Sequence, residues 1–534
     1  LEAKAQYHVM AGEMAAGRNL PELAAQQFLQ ALEYAPNTRI AAKATAYALQ
    51  AGKPELALTA AQLWQQTDTS SVEARSVVAL MAFRLKKDKL CQNTLQALFK
   101  DLPAGAEEGF ALAENVFADE GKRADAALKQ VRQLISSYPQ APEGPLVLAR
   151  LALRFKQNAV AETAVREALK LEPTSHPANL ILIRLLVEKN QISEAEALLE
   201  GLVKAAEGKA GLGLRLGYAQ LLLENEKLSD GKAQLEKLLK LDAQFTPAHL
   251  GLGLLALDER ELDTAEKRFQ VVYGKDKDTG AYYLGRIQEL RKQPEAAITF
   301  YQEVESGPQA VEAVIRRALL LGRNQRLTEA RELFDALREQ APRLRGRVDV
   351  AEGELLTEIG QYEAAQKVFE AAFAVPANEG VTDLLYSQAL LFERMSRIDL
   401  AEGNLRKILT ALPDNTRALN ALGYILISHS KPQDKKRYDE AEKLIDQALL
   451  QSPNAPEILD SRGWLLFKQG KLAEAQVQLQ KAFDKDPDPE IASHLIEVIH
   501  SQDRERAKPL WQAQSQQHPD SETLKALGLR LKLN

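Results

Sequence analysis

Residues Leu459 to Glu490 read LDSRGWLLFKQGKLAEAQVQLQKAFDKDPDPE. In this stretch Gly463, Leu466, Gly470, Leu472, Ala475, Leu479, Ala482 and Pro487 are set apart by helix-forming residues. Most of their intervals are three or four, which keeps side chains on one face of a helix. Pro487 has no N–H to donate and cannot continue a helix. The small residues Gly463, Ala475 and Ala482 are therefore expected where two helices approach closely, with Pro487 ending the second helix.

The same ladder recurs upstream. Gly353, Leu356, Gly360, Tyr362, Ala365, Phe369 and Ala372 fill the same places in an earlier unit, and Ala330, Phe334 and Pro342 mark the one before it. Ala265 with Phe269, Ala195 with Leu199, and Ala161, Ala168 and Pro173 continue the series. Gly12, Ala24, Phe28, Ala31 and Pro36 open it, and Gly423 and Ala441 hold the same positions near its end. A period of about 34 residues with this spacing is that of the tetratricopeptide repeat (TPR), a helix-turn-helix unit.

One such unit cannot bury its apolar face alone, whereas stacked units share a core. The expected fold is thus all-α, a TPR α-solenoid wound as a right-handed superhelix with an inner groove lined mainly by first helices. About fifteen units are expected over residues 1–519, degenerate around Thr94 and Asn115. A lengthened loop between the two helices of one unit is expected at 428–437, and a C-terminal capping helix at 520–534. Small residues at repeat positions 8 and 20 are expected at the contact between the two helices of a unit. The larger one at position 24 is expected to fill the gap towards the next unit.

Composition agrees with a helical scaffold. Of 534 residues 45% are hydrophobic and 27% charged, which excludes wholesale disorder. With 68 basic and 74 acidic residues the formal net charge is −6, so no general attraction to nucleic acid is expected. Cys91 is the one cysteine, which excludes an intramolecular disulfide and cysteine-built zinc sites. No apolar run reaches the length of a membrane span. The chain opens at Leu1, without an initiator methionine, on a segment that reads as helix, and a processed or trimmed chain is the expectation.

Catalytic constellations are weak. His8, His176, His249, His429, His494, His500 and His518 are scattered, and His494 and His500, six apart on one helix, are expected in surface roles. Ser428 to Lys431 matches S-x-x-K but sits in the inserted loop, with no partner motif following it. The stretch GLGLRLG at Gly211–Gly217 lacks the spacing and the preceding strand of a phosphate loop. Lys431, Lys435, Lys436 and Arg437 read as a solvated loop or a contact for an acidic partner. No catalytic, cofactor-binding or metal-binding residue is assigned, and no enzyme activity is expected.

What remains is the groove. Positions 2, 5 and 9 of the first helix commonly face the concave side, and in the middle units they hold Leu146 and Arg150, Leu180 and Arg184, Leu250 and Leu254, and Ile315 and Leu319. Apolar residues with interleaved arginine fit a surface that takes apolar side chains and carboxylates from a peptide or helix. The alternative is burial of these residues against adjacent units. Trp64 and Trp511 fall at core positions, whereas Trp464 faces either the groove or the neighbouring unit. A chaperone-tail carboxylate clamp needs Lys, Asn and Arg where Asn420, Tyr424 and Ser461 stand, and is not expected.

The segment Ala418 to Ala475 goes beyond the generic repeat. Its Leu422-Gly423-Tyr424, Tyr438-Asp439-Glu440-Ala441, Leu459-Asp460-Ser461 and Gly463-Trp464 resemble the C-terminal region of TPR-repeat outer-membrane lipoproteins of proteobacteria. The all-repeat length and closing helix are similar to those of the Pseudomonas lipoproteins that partner the periplasmic C-terminal processing protease CtpA. The resemblance implies a periplasmic adaptor, held at the outer membrane by a lipidated cysteine preceding Leu1. It would bind that serine protease and present peptidoglycan cross-link hydrolases to it. Alternatives are a scaffold for envelope assembly or exopolysaccharide export, and a regulatory repeat array of a transferase encoded outside this chain.

Overall fold

The computed structural model describes residues 2–102, 105–206, 208–375, 381–431 and 433–533. Among them the regular structure is helical, with 31 α-helices that form fifteen consecutive pairs and a last single helix, Glu522–Leu531. The chain divides into two compact units, residues 1–252 and 253–534.

The closest packing inside a helix pair follows one rule in both units. A Cβ added to Gly12 would stand 2.9 Å from the Phe28 ring, and one at Gly463 would stand 2.5 Å from Leu479. Gly423 meets Ile445, Gly285 meets Tyr301 and Gly353 meets Phe369 in the same way. The position-24 side chain thus covers the bare backbone at position 8 of its own repeat and also reaches the next unit, as expected: Phe28 stacks on Tyr47 and Phe269 on Tyr283. Gly12, Ala24, Ala31, Gly353, Ala365, Phe369, Gly423, Ala441, Gly463, Ala475 and Ala482 are all buried. Pro487 stands exposed between the helices Leu472–Lys485 and Pro489–Gln502.

The turn within most pairs has one residue in the left-handed region. Gly52, Gly360 and Gly470 supply it in three turns, whereas Lys86, Lys156, Asn190, Glu226, Arg260, Lys292, Gln325 and Ser396 adopt it with a side chain. The hydrogen bonds explain the demand: Lys87 N donates to Ala82 O and Lys86 N to Phe83 O, closing the last turn of the helix Val72–Arg84.

Successive repeats are also tied by ion pairs about one period apart. Arg150 meets Glu114 at 3.0 Å and Arg154 meets Asp119 at 2.6 Å in the first unit. Arg323 meets Glu358, Arg406 meets Glu440 and Arg530 meets Glu497 in the second. Each arginine sits about one repeat from its carboxylate, so the sequence period is also a charge period.

The lengthened loop is shorter than expected. One helix runs to Ser428 and the next begins at Lys435, so that part of the extra length becomes helix, a segment of 17 residues, Lys435–Gln451. Asp434 caps it by accepting from Arg437 N, and the Arg437 guanidinium pairs with Glu402. Residue 432 lies outside the described residues. The last helix is capped by Ser521, whose side chain accepts from Leu524 N.

Candidate functional site

The middle-unit groove residues divide when placed in the structure. Leu180 and Leu254 are exposed, Leu146, Leu250 and Leu319 are half-buried, and Arg150 and Arg184 are exposed. Arg150 is paired with Glu114 of the preceding repeat, and Arg184 with Glu188 of its own helix at 3.1 Å. Ile315 is only 5% exposed, packed in the core of its unit, so no partner reaches it. Trp464 is likewise buried. It stacks on His494 of the next repeat with ring centroids 4.1 Å apart, which removes it from the groove surface. Trp64, expected in the core, is half-buried. Trp511 packs beside the last helix and donates its Nε1 hydrogen to Leu524 O at 2.9 Å.

The pronounced concavity lies in the second unit. A cavity of about 690 Å³ is walled by the first helices of successive repeats: Arg345–Glu358, Val381–Arg394, Thr416–Ser428, Pro456–Lys468 and the start of Pro489–Gln502. Tyr362, Tyr386 and Tyr424 give it aromatic walls, and Asn420 and Ser461 lie among them. Its charged lining is lopsided, with eight carboxylates against the single guanidinium of Arg394.

Those carboxylates differ in their partners. Glu358 pairs with Arg323, Asp460 with His494, and Glu393 meets His429 Nε2 at 3.5 Å. Glu354 accepts from Ser387 Oγ at 2.5 Å, and Asp488 accepts from Glu490 N at 2.8 Å. Among the described residues Glu457, Asp486 and Glu490 have no ion-pair partner. Burial pushes the Tyr424 hydroxyl well above the usual tyrosine range, and the charges of Glu490 and Asp460 push it further the same way.

His494 meets two residues of this wall, Asp460 and Tyr424. It is buried, not on the surface, and its Nδ1 lies 2.9 Å from both oxygens of Asp460. Its Nε2 lies 3.4 Å from the Tyr424 hydroxyl. His249 is buried as well, with Nε2 3.0 Å from Ala243 O. The cue for His494 was in the chain, since Asp460 precedes it by one repeat; histidine-to-histidine spacing does not register a partner on another helix.

The cavity itself was legible from the groove rule, applied further along. Counting from Gly423 and Gly463 at position 8, positions 5 and 9 of one repeat are Asn420 and Tyr424, and positions 2 and 5 of the next are Glu457 and Asp460. Cys91 adds no reactivity: burial pushes its thiol up to about 12, with the Asp88 charge acting in the same direction, so it stays protonated. The stretch Gly211–Gly217 lies within the helix Lys209–Glu224, which leaves no phosphate-cradling loop there. Ser428 ends a helix, and Lys435, Lys436 and Arg437 open the next rather than lying in a loop.

Two tetratricopeptide repeat family profiles match the sequence, one at residues 152–215 and 433–495, the other at 216–281 and 386–456. Their matches fall on the helix pairs described above. The chain is a TPR-repeat solenoid. As such it is similar to the TPR repeat-containing protein PA4667 of Pseudomonas aeruginosa, with 35% identity over 221 residues, 41% of this chain. The match spans 36% of that relative's length. Solved structures similar to the solenoid include a thermophilic TPR protein of Thermus thermophilus, at 20% identity and TM-score 0.32, covering 35% of this chain and all of that one. Another is a TPR protein of Parabacteroides merdae, at 18% identity and TM-score 0.35, covering 54% of this chain and 99% of that one. The repeat is common to these comparisons, and no residue correspondence follows from scores this low.

Proposed function

We propose that this chain is a non-catalytic adaptor of the bacterial cell envelope. It binds a periplasmic C-terminal processing serine protease and brings peptidoglycan cross-link hydrolases to it for degradation. The observation that carries the protein-binding part is the cavity of the second unit, to which five successive first helices contribute. A surface assembled from several repeats suits another polypeptide better than a small substrate. The envelope and protease part is supported by the resemblance of Ala418–Ala475 to outer-membrane TPR lipoproteins and by the likeness to the Pseudomonas protein.

An adaptor of this kind acts through proximity. Holding protease and substrate on one chain raises their effective concentration without any chemistry by the adaptor itself. In this reading a lipid anchor ahead of Leu1 places the pair at the periplasmic face of the outer membrane. Among the described residues no helix is long and apolar enough to cross a membrane.

The test is affinity capture from a Pseudomonas envelope extract, with this chain as bait and a catalytically dead protease present to retain substrates. Recovery of the protease together with cell-wall hydrolases is expected. Recovery of export or polymer-synthase components without the protease would overturn the adaptor reading in favour of an assembly scaffold.

A further inference from the structure

We infer that the cavity of the second unit seats a cationic segment of a partner protein, whose lysine or arginine side chains pass the Tyr386 and Tyr424 walls and end on Glu457, Asp486 and Glu490. The inference rests on the protein-binding reading above and names the chemistry of the occupant.

Four independent features converge on a cation. The first is the lopsided charge of the lining. Several carboxylates elsewhere meet an arginine about one repeat away, as Glu114 meets Arg150 and Glu440 meets Arg406. In the cavity wall Glu457, Asp486 and Glu490 have no such partner among the described residues, and like charges around a concavity focus a negative potential into it. The second is the aromatic wall. Tyr386 already carries the Arg417 guanidinium 4.2 Å from its ring centroid, and on the next-but-one first helix Lys468 lies 4.4 Å from the Trp464 ring, so the aromatic rings of this region hold cations of the chain itself.

The third feature is an orphaned acceptor. Asn420 lines the cavity, and its Oδ1, shielded from solvent, has no hydrogen-bond partner, although its Nδ2 donates to Glu457 O. Asn420 itself is half-buried, so a small turn of its amide offers that acceptor to an incoming donor. Lysine and arginine side chains are donors without acceptors, which matches this lining. The fourth is spread. Among the described residues no three histidine, cysteine or carboxylate groups lie close enough to hold a metal ion, and Glu457, Asp486 and Glu490 stand on different helices or turns. At about 690 Å³ the cavity has room for several side chains of a peptide.

The test uses the full chain at physiological salt and reads fluorescence anisotropy with three labelled dodecapeptides, alternating alanine with arginine, lysine or glutamate. The arginine and lysine probes are expected to bind and the glutamate probe not to. The triple variant Glu457→Gln, Asp486→Asn, Glu490→Gln should weaken arginine-probe binding on the order of tenfold, with a thermal melt lowered by no more than a few degrees, since Glu457 and Glu490 stand in first helical turns. A control triple, Glu167→Gln, Glu172→Gln, Glu236→Gln, removes the same charge from exposed positions of the first unit and should leave binding unchanged. Equal loss in both variants, or none in the cavity variant, overturns the assignment.

Repeating the envelope capture separates this inference from the adaptor reading. Should the cavity variant recover protease and hydrolases as well as the wild type does, the adaptor reading stands and the cavity is not the seat. Should the wild type recover no protease yet bind the arginine probe through the cavity, the cationic seat stands and the adaptor reading falls.

Discussion

His494 reaches back one repeat to Asp460, with Nδ1 2.9 Å from each carboxylate oxygen in a site where both side chains are buried. Burial works against the imidazolium, but the charge and hydrogen bond of Asp460 prevail, aided by Glu490 and Glu497, and hold His494 above the ordinary histidine value of 6.5. A histidine raised on folding contributes stability that is fully present below pH 6.5 and is lost as pH rises through its folded value. Stability measured by denaturant titration should therefore fall across that interval by at most about 1.4 kcal/mol per pH unit from this group. His494→Gln should remove that slope and, by leaving Asp460 buried without its counter-charge, cost about 3 kcal/mol at pH 6. A variant that keeps the wild-type pH slope would show that the slope comes from other groups.

Two glycines separate packing from propensity. Gly353 lies under the Phe369 ring, so the methyl group of Gly353→Ala has to displace a fully buried aromatic side chain. Overpacking of this kind costs about 1–3 kcal/mol, which outweighs the gain of alanine over glycine in a helix. Gly217 sits in the exposed face of the helix Lys209–Glu224 with nothing near its would-be Cβ, and Gly217→Ala should stabilise by about 0.5–1 kcal/mol. Thermal melts of the two variants should shift in opposite directions.

The contrast shows what the chain made legible. Gly353 and Phe369 are sixteen residues apart, and their positions in the period identify them as contact residues without coordinates. Phe369 was expected to fill the gap towards the next unit and does pack with Leu384 and Leu391 there; what periodicity did not show is that it also covers Gly353 of its own unit. The cavity was harder to read for a physical reason. Glu457, Asp486 and Glu490 are ordinary exposed carboxylates in sequence, and what distinguishes them is that they line one concavity, a relation between helices. His494 was lost for the same reason, whereas Ile315 was placed on the groove because one position rule cannot say how tightly two repeats close over it.

Lys156 tests the turn. Its backbone sits at φ 60° between the helices Glu143–Arg154 and Asn158–Leu171, a place that Gly470 fills in the later repeat. A side chain in that region costs about 1 kcal/mol, so Lys156→Gly should gain about 0.5 kcal/mol after the added freedom of the unfolded chain. Lys156→Val, branched at Cβ, should lose at least about 1 kcal/mol in the same melt. The opposite order would mean that the turn relaxes out of the left-handed region.

Arg338 joins two nearly buried carboxylates, with Nε 2.7 Å from Asp349 and Nη2 2.5 Å from Glu352. Burial alone would lower its affinity for a proton, but those two partners reverse the direction and raise it. Arg338→Met should cost about 3 kcal/mol at neutral pH, since both carboxylates then lose their closest counter-charge. Arg338→Lys should recover only part of the loss, because an ammonium group cannot serve both carboxylates through a rigid fork. Full recovery by lysine, read from denaturant midpoints, would show that charge alone matters at this site.

Arg150 and Arg184 bear on partner binding in the first unit. Both are exposed, with side chains 41% and 62% accessible, and their pairs with Glu114 and Glu188 are surface pairs worth up to about 1 kcal/mol each. Charge reversal at both, Arg150→Glu and Arg184→Glu, should therefore leave the helical circular dichroism intact and lower the melting temperature by only a few degrees. If acidic groups of a partner use this face, the reversed pair should recover several-fold less protease or hydrolase from the envelope extract. Unchanged recovery with an intact spectrum would confine these arginines to bridging and covering their own helices, and would leave the second unit's cavity as the contact to pursue.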